Sequence, residues 1–134
     1  MSSTLIKNAY IVSMAGPISK ADLLIEDDRI MEIGIIDKEV DEVIDATGKV
    51  IMPGLINAHT HIAMSLFRGY SDDLELMEWL KNVWKVEDKM SAEDVYYASL
   101  LSEIEMIKSG TTTFNDHYFF EDETAKATIK SGMR

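Results

Sequence analysis

The pattern of apolar residues changes at Pro53-Gly54, and this change divides the 134-residue chain into two parts. Before it, short apolar runs alternate with Gly, Pro, Asp and Asn, which is typical of strands joined by tight turns. After it, residues 55–61 form a near-continuous apolar strand, and the segments that follow have helical periodicity. The sequence therefore predicts two modules, a small β unit over residues 1–53 and an α/β module over residues 54–134.

The first module is predicted to contain three extended segments, each bounded by turn residues. They cover residues 4–14, 21–34 and 41–52. Within the second segment, apolar residues flank Asp27-Asp28 on both sides, as they do in the two arms of a β-hairpin.

The second module is predicted to run strand, helices, strand, helix. The helices are expected near residues 74–84, from a Ser91 cap to Gly110, and over residues 121–132, and the second strand over residues 111–120. This alternation is typical of parallel βαβ units, either in an open doubly wound sheet or in part of a (β/α) barrel. In the helix that follows Ser91, one apolar stripe is expected to face the core, formed by Val95, Ala98, Leu101, Ile104 and Ile107 or Lys108.

Two histidines, His59 and His61, lie at the carboxyl end of the first strand of the second module. Residues i and i+2 of a strand face the same side, so both imidazoles can point at one ion. Neutral imidazoles suit zinc or iron, and α/β folds place their chemistry at the carboxyl ends of parallel strands. The pair is a candidate metal site, and the alternative is one solvated and one hydrogen-bonded histidine.

Composition narrows the classes of partner. The chain has 24 acidic and 13 basic residues, and a net charge of −11 repels phosphate backbones and anionic lipid surfaces. Neither nucleic acid nor a membrane is an expected partner. The absence of cysteine means that any metal is held by nitrogen and oxygen. No apolar stretch approaches the about 18 residues of a membrane span, so a cytoplasmic location is expected.

The run MPGLINAHTHIAMSLFRGYSDDLELMEWL, followed by WKVE and GTTTFNDHYFF, closely resembles the amino-terminal third of amidohydrolase-superfamily enzymes. The most similar branch is the 5-methylthioadenosine/S-adenosylhomocysteine deaminases, with triazine chlorohydrolases and guanine deaminases as relatives. The resemblance covers nearly the whole chain. It implies an α/β protein in which residues 1–53 are the amino-terminal part of a small β-sandwich. Residues 54–134 would be the first two βα units of a metal-dependent hydrolase TIM barrel, incomplete because it stops before strand 3.

The resemblance also implies a cofactor. His59 and His61 match two metal ligands that the family carries on its first barrel strand. The implied cofactor is one divalent metal, zinc or alternatively iron. The resembled enzymes take a third histidine ligand, the catalytic glutamate and a metal-binding aspartate from later strands. We therefore expect no catalytic residue in this chain and weak or absent metal binding by this chain alone.

Glu87 in WKVE matches the glutamate that binds the ribose hydroxyls of the substrate in adenosine-type deaminases. The alternative for Glu87 is a solvated carboxylate at a helix end. Trp79 and Trp84 are expected to pack in the interior, although one of them near a pocket could stack on a base.

Three further matched positions, Arg68, Asp72 and Asp73, are interpreted as an Arg–Asp pair bracing the loop over the barrel mouth, with direct substrate contact as the alternative. His117, at the end of the second strand, is interpreted as a loop histidine rather than a third metal ligand.

The implied activity is hydrolytic deamination of an adenosine-type nucleoside of the 5-methylthioadenosine/S-adenosylhomocysteine class, or hydrolysis of another N-heterocycle. Three hypotheses remain for the chain itself: a fragment of such an enzyme, one half of a two-chain enzyme, or a non-catalytic remnant. Its expected partners are a small-molecule nucleoside or related N-heterocycle, and either the remaining barrel segment or another copy of itself. A hypothesis of a different class is a small α/β binding module whose histidines are structural.

Overall fold

The structure is a computed structural model that describes residues 2–134. Two compact units are present, one ending at Pro53 and the other running from Gly54 to Arg134. Each unit has buried apolar residues of its own. Within residues 2–134, no helix combines the length and the apolar character needed to cross a membrane.

One five-stranded sheet forms the first unit. Its strands are β1 (Ser3–Ile11), β2 (Ser19–Glu26), β3 (Arg29–Gly34), β4 (Glu42–Asp45) and β5 (Val50–Ile51). The order is β3-β2-β1-β4, and β5 also pairs with β1. Neighbours in β1–β2–β3 are antiparallel, whereas β4 and β5 run parallel to β1. The predicted hairpin is confirmed, because Asp27 and Asp28 form the turn between β2 and β3.

The first unit has two clusters of buried apolar residues around β1 and β2, because successive side chains of a strand point to opposite faces. One cluster contains Ala9, Ile11, Leu23 and Ala46, and the other contains Leu5, Leu24 and Ile36. Strands β3 and β4 contribute little to either cluster, since Ile30, Ile33 and Val43 are more than half exposed.

The second unit alternates strands and helices. Its elements are β6 (Leu55–Thr60), a 3-10 helix (Ile62–Phe67), α1 (Leu76–Glu87), α2 (Ala92–Lys108), β7 (Thr111–Asp116) and α3 (Glu121–Ser131). Strands β6 and β7 pair in parallel, so the predicted parallel βαβ arrangement is confirmed. Thr60 is opposite Asp116, which places the carboxyl ends of both strands side by side.

Both strands are shorter than predicted. β6 ends at Thr60, so His61 is the residue that precedes the 3-10 helix, and β7 ends at Asp116 rather than at Phe120. The carboxylate of Asp116 accepts a hydrogen bond from the Ile62 backbone N–H at 2.9 Å. This bond satisfies an amide that the ladder no longer uses and turns the chain out of the sheet directly after His61.

Helix α2 begins as predicted. Ser91 Oγ accepts a hydrogen bond from the Asp94 N–H at 3.2 Å, and the Asp94 carboxylate accepts one from the Ser91 N–H at 2.8 Å. This reciprocal capping box satisfies two of the amides that a helix start leaves unpaired. The helix ends at Lys108, and Gly110 follows with a φ of 85°, a left-handed conformation that favours glycine.

The predicted apolar stripe of α2 is wrong beyond its first two turns. The buried residues of the helix are Val95, Ala98, Ser99, Ser102 and Glu103. Leu101, Ile104 and Ile107 are about half exposed. The buried face is rich in small residues because α2 packs closely on two elements: Ser102 Oγ bonds the Ile62 carbonyl at 2.7 Å, and the hydroxyls of Ser99 and Thr124 lie 3.3 Å apart.

Candidate metal and ligand site

The carboxyl edge of the β6–β7 sheet brings the histidine pair next to the loop that follows β7. His59 lies on β6, and His61 lies one residue beyond the strand. Their ring centroids are 5.0 Å apart, and the ring planes make an angle of 80°. The ring of His117 lies farther away, 6.2 Å from the ring of His61. Two imidazoles are therefore adjacent, and the third belongs to the loop.

The imidazole of His61 is held through one of its two nitrogens. Nδ1 lies 2.5 Å from the backbone carbonyl oxygen of His117 and donates to it, which leaves Nε2 as the free nitrogen. Asp116 lies beside this contact, and burial raises the pKa of its carboxyl, although N–H bonds from Ile62 and His117 oppose the rise. The second oxygen of Asp116 is buried and has no hydrogen-bond partner within the described residues.

The donors fit a divalent metal in kind but not in number. Imidazole nitrogens are preferred by zinc and iron, and a backbone carbonyl on the other ring nitrogen is a common second contact of a metal-binding histidine. A catalytic zinc takes three protein ligands. Over residues 2–134, no group of three or more His, Asp or Glu side chains converges as a metal site would require. His59 and His61 can supply two of the positions.

A cavity of about 330 Å³ lies beside His61. Its walls are mostly aromatic and aliphatic, and the lining residues are His61, Met64, Trp79, Leu80, Val83, Trp84, Glu87, His117, Tyr118 and Phe119. The two candidates His61 and Glu87 therefore meet in one cavity, whereas His59 does not line it. Both tryptophans line it as well, and the indole of Trp84 is about half exposed.

Glu87 is the last residue of α1 and is half-buried. Its Oε1 accepts a hydrogen bond from the Tyr118 hydroxyl at 2.6 Å. Burial raises the pKa of Tyr118 well above its usual range, and the bond to the Glu87 carboxylate raises it further. The carboxylate is thus part of the cavity wall rather than a freely solvated group at a helix end.

The expected Arg–Asp pair is wrong. The Arg68 guanidinium forms two hydrogen bonds to the Glu105 carboxylate of α2, at 2.9 and 2.8 Å. A planar guanidinium matches a carboxylate that faces it with both oxygens, and α2 presents Glu105 in that way. Asp72 and Asp73 form no ion pair within the described part of the chain.

Sequence reasoning missed Tyr118 and Phe119, which contribute a hydroxyl and an aromatic wall to the cavity. A signal for them exists in the sequence. They follow directly after the carboxyl end of β7, the strand position from which α/β proteins supply site residues. The strand predicted over residues 111–120 includes both, whereas β7 ends at Asp116 and leaves them in the loop.

Comparison with known proteins identifies relatives along the whole chain. The model of a family described as the amidohydrolase family matches residues 50–134. The 5'-deoxyadenosine deaminase of Methanosarcina mazei is 58% identical over 100% of this chain and 32% of its own length. The 5-methylthioadenosine/S-adenosylhomocysteine deaminase of Thermoanaerobacter pseudethanolicus is 57% identical over 97% of this chain and 32% of its own length. The chain thus spans about a third of the length of these relatives.

Solved structures are similar as well, among them an adenosine deaminase from Xanthomonas campestris with bound zinc, which is 31% identical and has a TM-score of 0.92. The similarity covers 99% of this chain and 33% of that one.

Proposed function

The chain belongs to the amidohydrolase family, and on this premise we propose that it contributes part of the active site of a metal-dependent deaminase acting on an adenosine-type nucleoside. The observation that carries the proposal is one cavity lined both by His61, of the histidine pair, and by Glu87. Two relatives, named as deaminases of 5'-deoxyadenosine and of 5-methylthioadenosine/S-adenosylhomocysteine, support the substrate class.

In this proposal His59 and His61 hold a divalent metal, zinc in the first instance and iron as the alternative. Such a metal, when bound, lowers the pKa of a water molecule towards neutrality. The chain itself orients the site, because the His117 carbonyl fixes the tautomer of His61 and directs Nε2 away from the loop. The general base and the remaining ligands would come from further strands, in the same polypeptide or in a second chain.

Glu87 and the aromatic walls would bind the nucleoside. A carboxylate oxygen accepts hydrogen bonds, so Glu87 suits a ligand with hydroxyl donors, such as a ribose. Trp79, Trp84 and Phe119 offer flat apolar surface on which a purine ring can pack. A hydroxyl-bearing sugar joined to a planar base satisfies both features.

We also propose that the first unit, residues 1–53, is part of a small β-sandwich domain. The second unit, residues 54–134, would be the first part of a (β/α)8 barrel domain, ending before strand 3. The parallel pair β6–β7, with helices in the connection between them, supports the second assignment.

The proposal is tested with the protein in its encoded form, including any further segment. Ammonia release from 5-methylthioadenosine and bound metal are measured for the wild type and for the double variant His59→Asn/His61→Asn. We expect the double variant to lose both the metal and the turnover, because Asn removes both imidazoles without a large change in volume.

His117→Ala is the matched control for metal content. It should retain the metal, since residue 117 acts on His61 through its backbone carbonyl. Turnover that survives in the double variant at the wild-type rate would refute the proposed function.

A further inference from the structure

The loop after β7 contacts both candidate site residues of the cavity. The backbone carbonyl of His117 accepts from His61 Nδ1, and the hydroxyl of the next residue, Tyr118, donates to Glu87 Oε1 at 2.6 Å. The Tyr118 ring also lies beside the imidazole, with 6.3 Å between the ring centroids. Two consecutive residues therefore join the end of β6 to the end of α1.

Glu87 needs such a donor because of where it lies. It is the last residue of α1, where the helix dipole is negative and disfavours a carboxylate. It is half-buried, and within residues 2–134 no Lys or Arg forms an ion pair with it. The Tyr118 hydroxyl is the one side-chain donor to Glu87 in the described part of the chain.

The bond uses only one of the two carboxylate oxygens. Oε2 accepts no hydrogen bond from the described residues, and Glu87 lines the cavity. A phenol is protonated at neutral pH and has one hydrogen to donate. The Glu87 oxygen, at 2.6 Å, is the nearer of the two acceptors of the Tyr118 hydroxyl, because the Met90 sulfur lies at 3.7 Å. Tyr118 therefore holds one oxygen of Glu87 and leaves the other for a ligand.

We propose that Tyr118 is a positioning residue, whose hydroxyl fixes the Glu87 carboxylate so that its second oxygen accepts a hydrogen bond from a ligand hydroxyl. This inference rests on the proposed function for the identity of the ligand. Tyr118 acts through Glu87 and takes no part in the chemical step.

The first test compares two nucleosides in the protein in its encoded form. Tyr118→Phe should raise KM for 5-methylthioadenosine about tenfold, because a Glu87 carboxylate that is no longer held in place makes a poorer hydrogen bond to the ligand hydroxyl, and should change kcat by less than about twofold. KM for 2′,3′-dideoxyadenosine, which lacks the sugar hydroxyls, should not change. An equal rise in KM for both nucleosides would overturn the proposal.

The second test is a double-mutant cycle. If Tyr118 acts only through Glu87, the variant Glu87→Ala/Tyr118→Phe should have the same KM for 5-methylthioadenosine as Glu87→Ala alone, because Ala removes the acceptor of the Tyr118 hydroxyl. Fully additive effects would overturn the positioning role. Tyr97→Phe, the same change at an exposed tyrosine of α2, is the matched control and should keep the wild-type KM.

A third measurement needs no turnover. In crystal structures, the Glu87 carboxylate should occupy one rotamer in the wild type and several rotamers in Tyr118→Phe. The same single rotamer in both would refute the positioning role, even in an active enzyme. If the wild type deaminates no adenosine-type nucleoside, the proposed function fails, and the crystal structures still decide the role of Tyr118.

Discussion

Asp22 connects the irregular part of the first sheet to the chain that follows β3. Asn8 has a φ of 65° and marks a bulge in β1, where the register with β2 shifts. The two carboxylate oxygens of Asp22 accept hydrogen bonds from the Asn8 N–H at 2.9 Å and from the Ile36 N–H at 3.2 Å. One buried carboxylate thus satisfies two amides that the sheet ladder leaves unpaired.

Asp22→Asn should reduce the free energy of unfolding by about 1–3 kcal/mol at neutral pH, because the amide keeps one acceptor oxygen and loses the charge. Urea unfolding measures the change. Asp28→Asn is the control. It should reduce the free energy of unfolding by less than about 0.5 kcal/mol, because the Asp28 side chain is 86% exposed. Equal losses in the two variants would contradict the role of Asp22.

The pH dependence of this effect has a definite sign. Hydrogen bonds from two backbone amides lower the pKa of Asp22 below the ordinary 3.8. The stabilisation is therefore present above about pH 3.8 and is lost as the pH falls through the lower pKa of the folded state. The difference in the free energy of unfolding between wild type and Asp22→Asn should therefore shrink as the pH falls below 3.8.

Among the secondary-structure elements, α2 begins at a residue fixed by local sequence, whereas its buried face is fixed by the elements that pack against it. Ser91 and Asp94 are three residues apart, so their capping interaction is visible in the sequence. The buried face depends on which elements pack against the helix. Ser99 and Ser102 are buried against α3 and the 3-10 helix, while the larger Leu101 is about half exposed.

Ser91→Ala should destabilise the protein by about 1 kcal/mol, because Asp94 loses the hydroxyl that accepts from its N–H. Thermal unfolding followed by circular dichroism at 222 nm measures the change. Ser109→Ala makes the same substitution at the other end of α2. It should destabilise the protein less than Ser91→Ala does, because the exposed Ser109 hydroxyl only donates to the Met106 carbonyl. A larger loss for Ser109→Ala would show that the cap is not the stabilising contact.

In the stability of the whole molecule, the buried carboxyl of Glu103 has the opposite effect to that of Asp22, because its contribution to the free energy of unfolding decreases as the pH rises. Glu103 of α2 is fully buried and accepts a hydrogen bond from the Thr128 hydroxyl at 2.9 Å. Its other oxygen has no partner within residues 2–134. Burial raises the pKa of Glu103 above the ordinary 4.5, and the nearby Asp116 carboxyl adds to the rise.

Because the pKa of Glu103 is raised in the folded state, the stability that the protonated Glu103 contributes is complete below pH 4.5. This stability is lost as the pH rises through the pKa that Glu103 has in the folded protein. Glu103→Gln removes the titration and keeps an oxygen that accepts from Thr128. We expect its free energy of unfolding to vary less than that of the wild type above pH 4.5, as measured by urea unfolding at a series of pH values. Parallel profiles would show that Glu103 is not the source.

Features that depend on neighbours along the chain can be predicted from the sequence alone. These include the hairpin at Asp27-Asp28, the Ser91 cap, the parallel alternation of strands and helices after Pro53, and the resemblance to amidohydrolases, which the comparisons confirm. Short-range hydrogen bonds and periodicity are encoded within a few residues, so reading them needs no knowledge of the packing. The α/β fold class is confirmed for the same reason.

Which distant side chains meet depends on how the helices and strands pack in three dimensions. Arg68 pairs with Glu105 rather than with Asp72 or Asp73, and the Tyr118 hydroxyl bonds to Glu87 across 31 positions of sequence. Such partners depend on where helices end and how closely they approach the strands, and no local pattern specifies these quantities. The sequence thus identified the histidine pair and Glu87 as candidates, and the packing of the β7 loop against α1 brought His61 and Glu87 into one cavity.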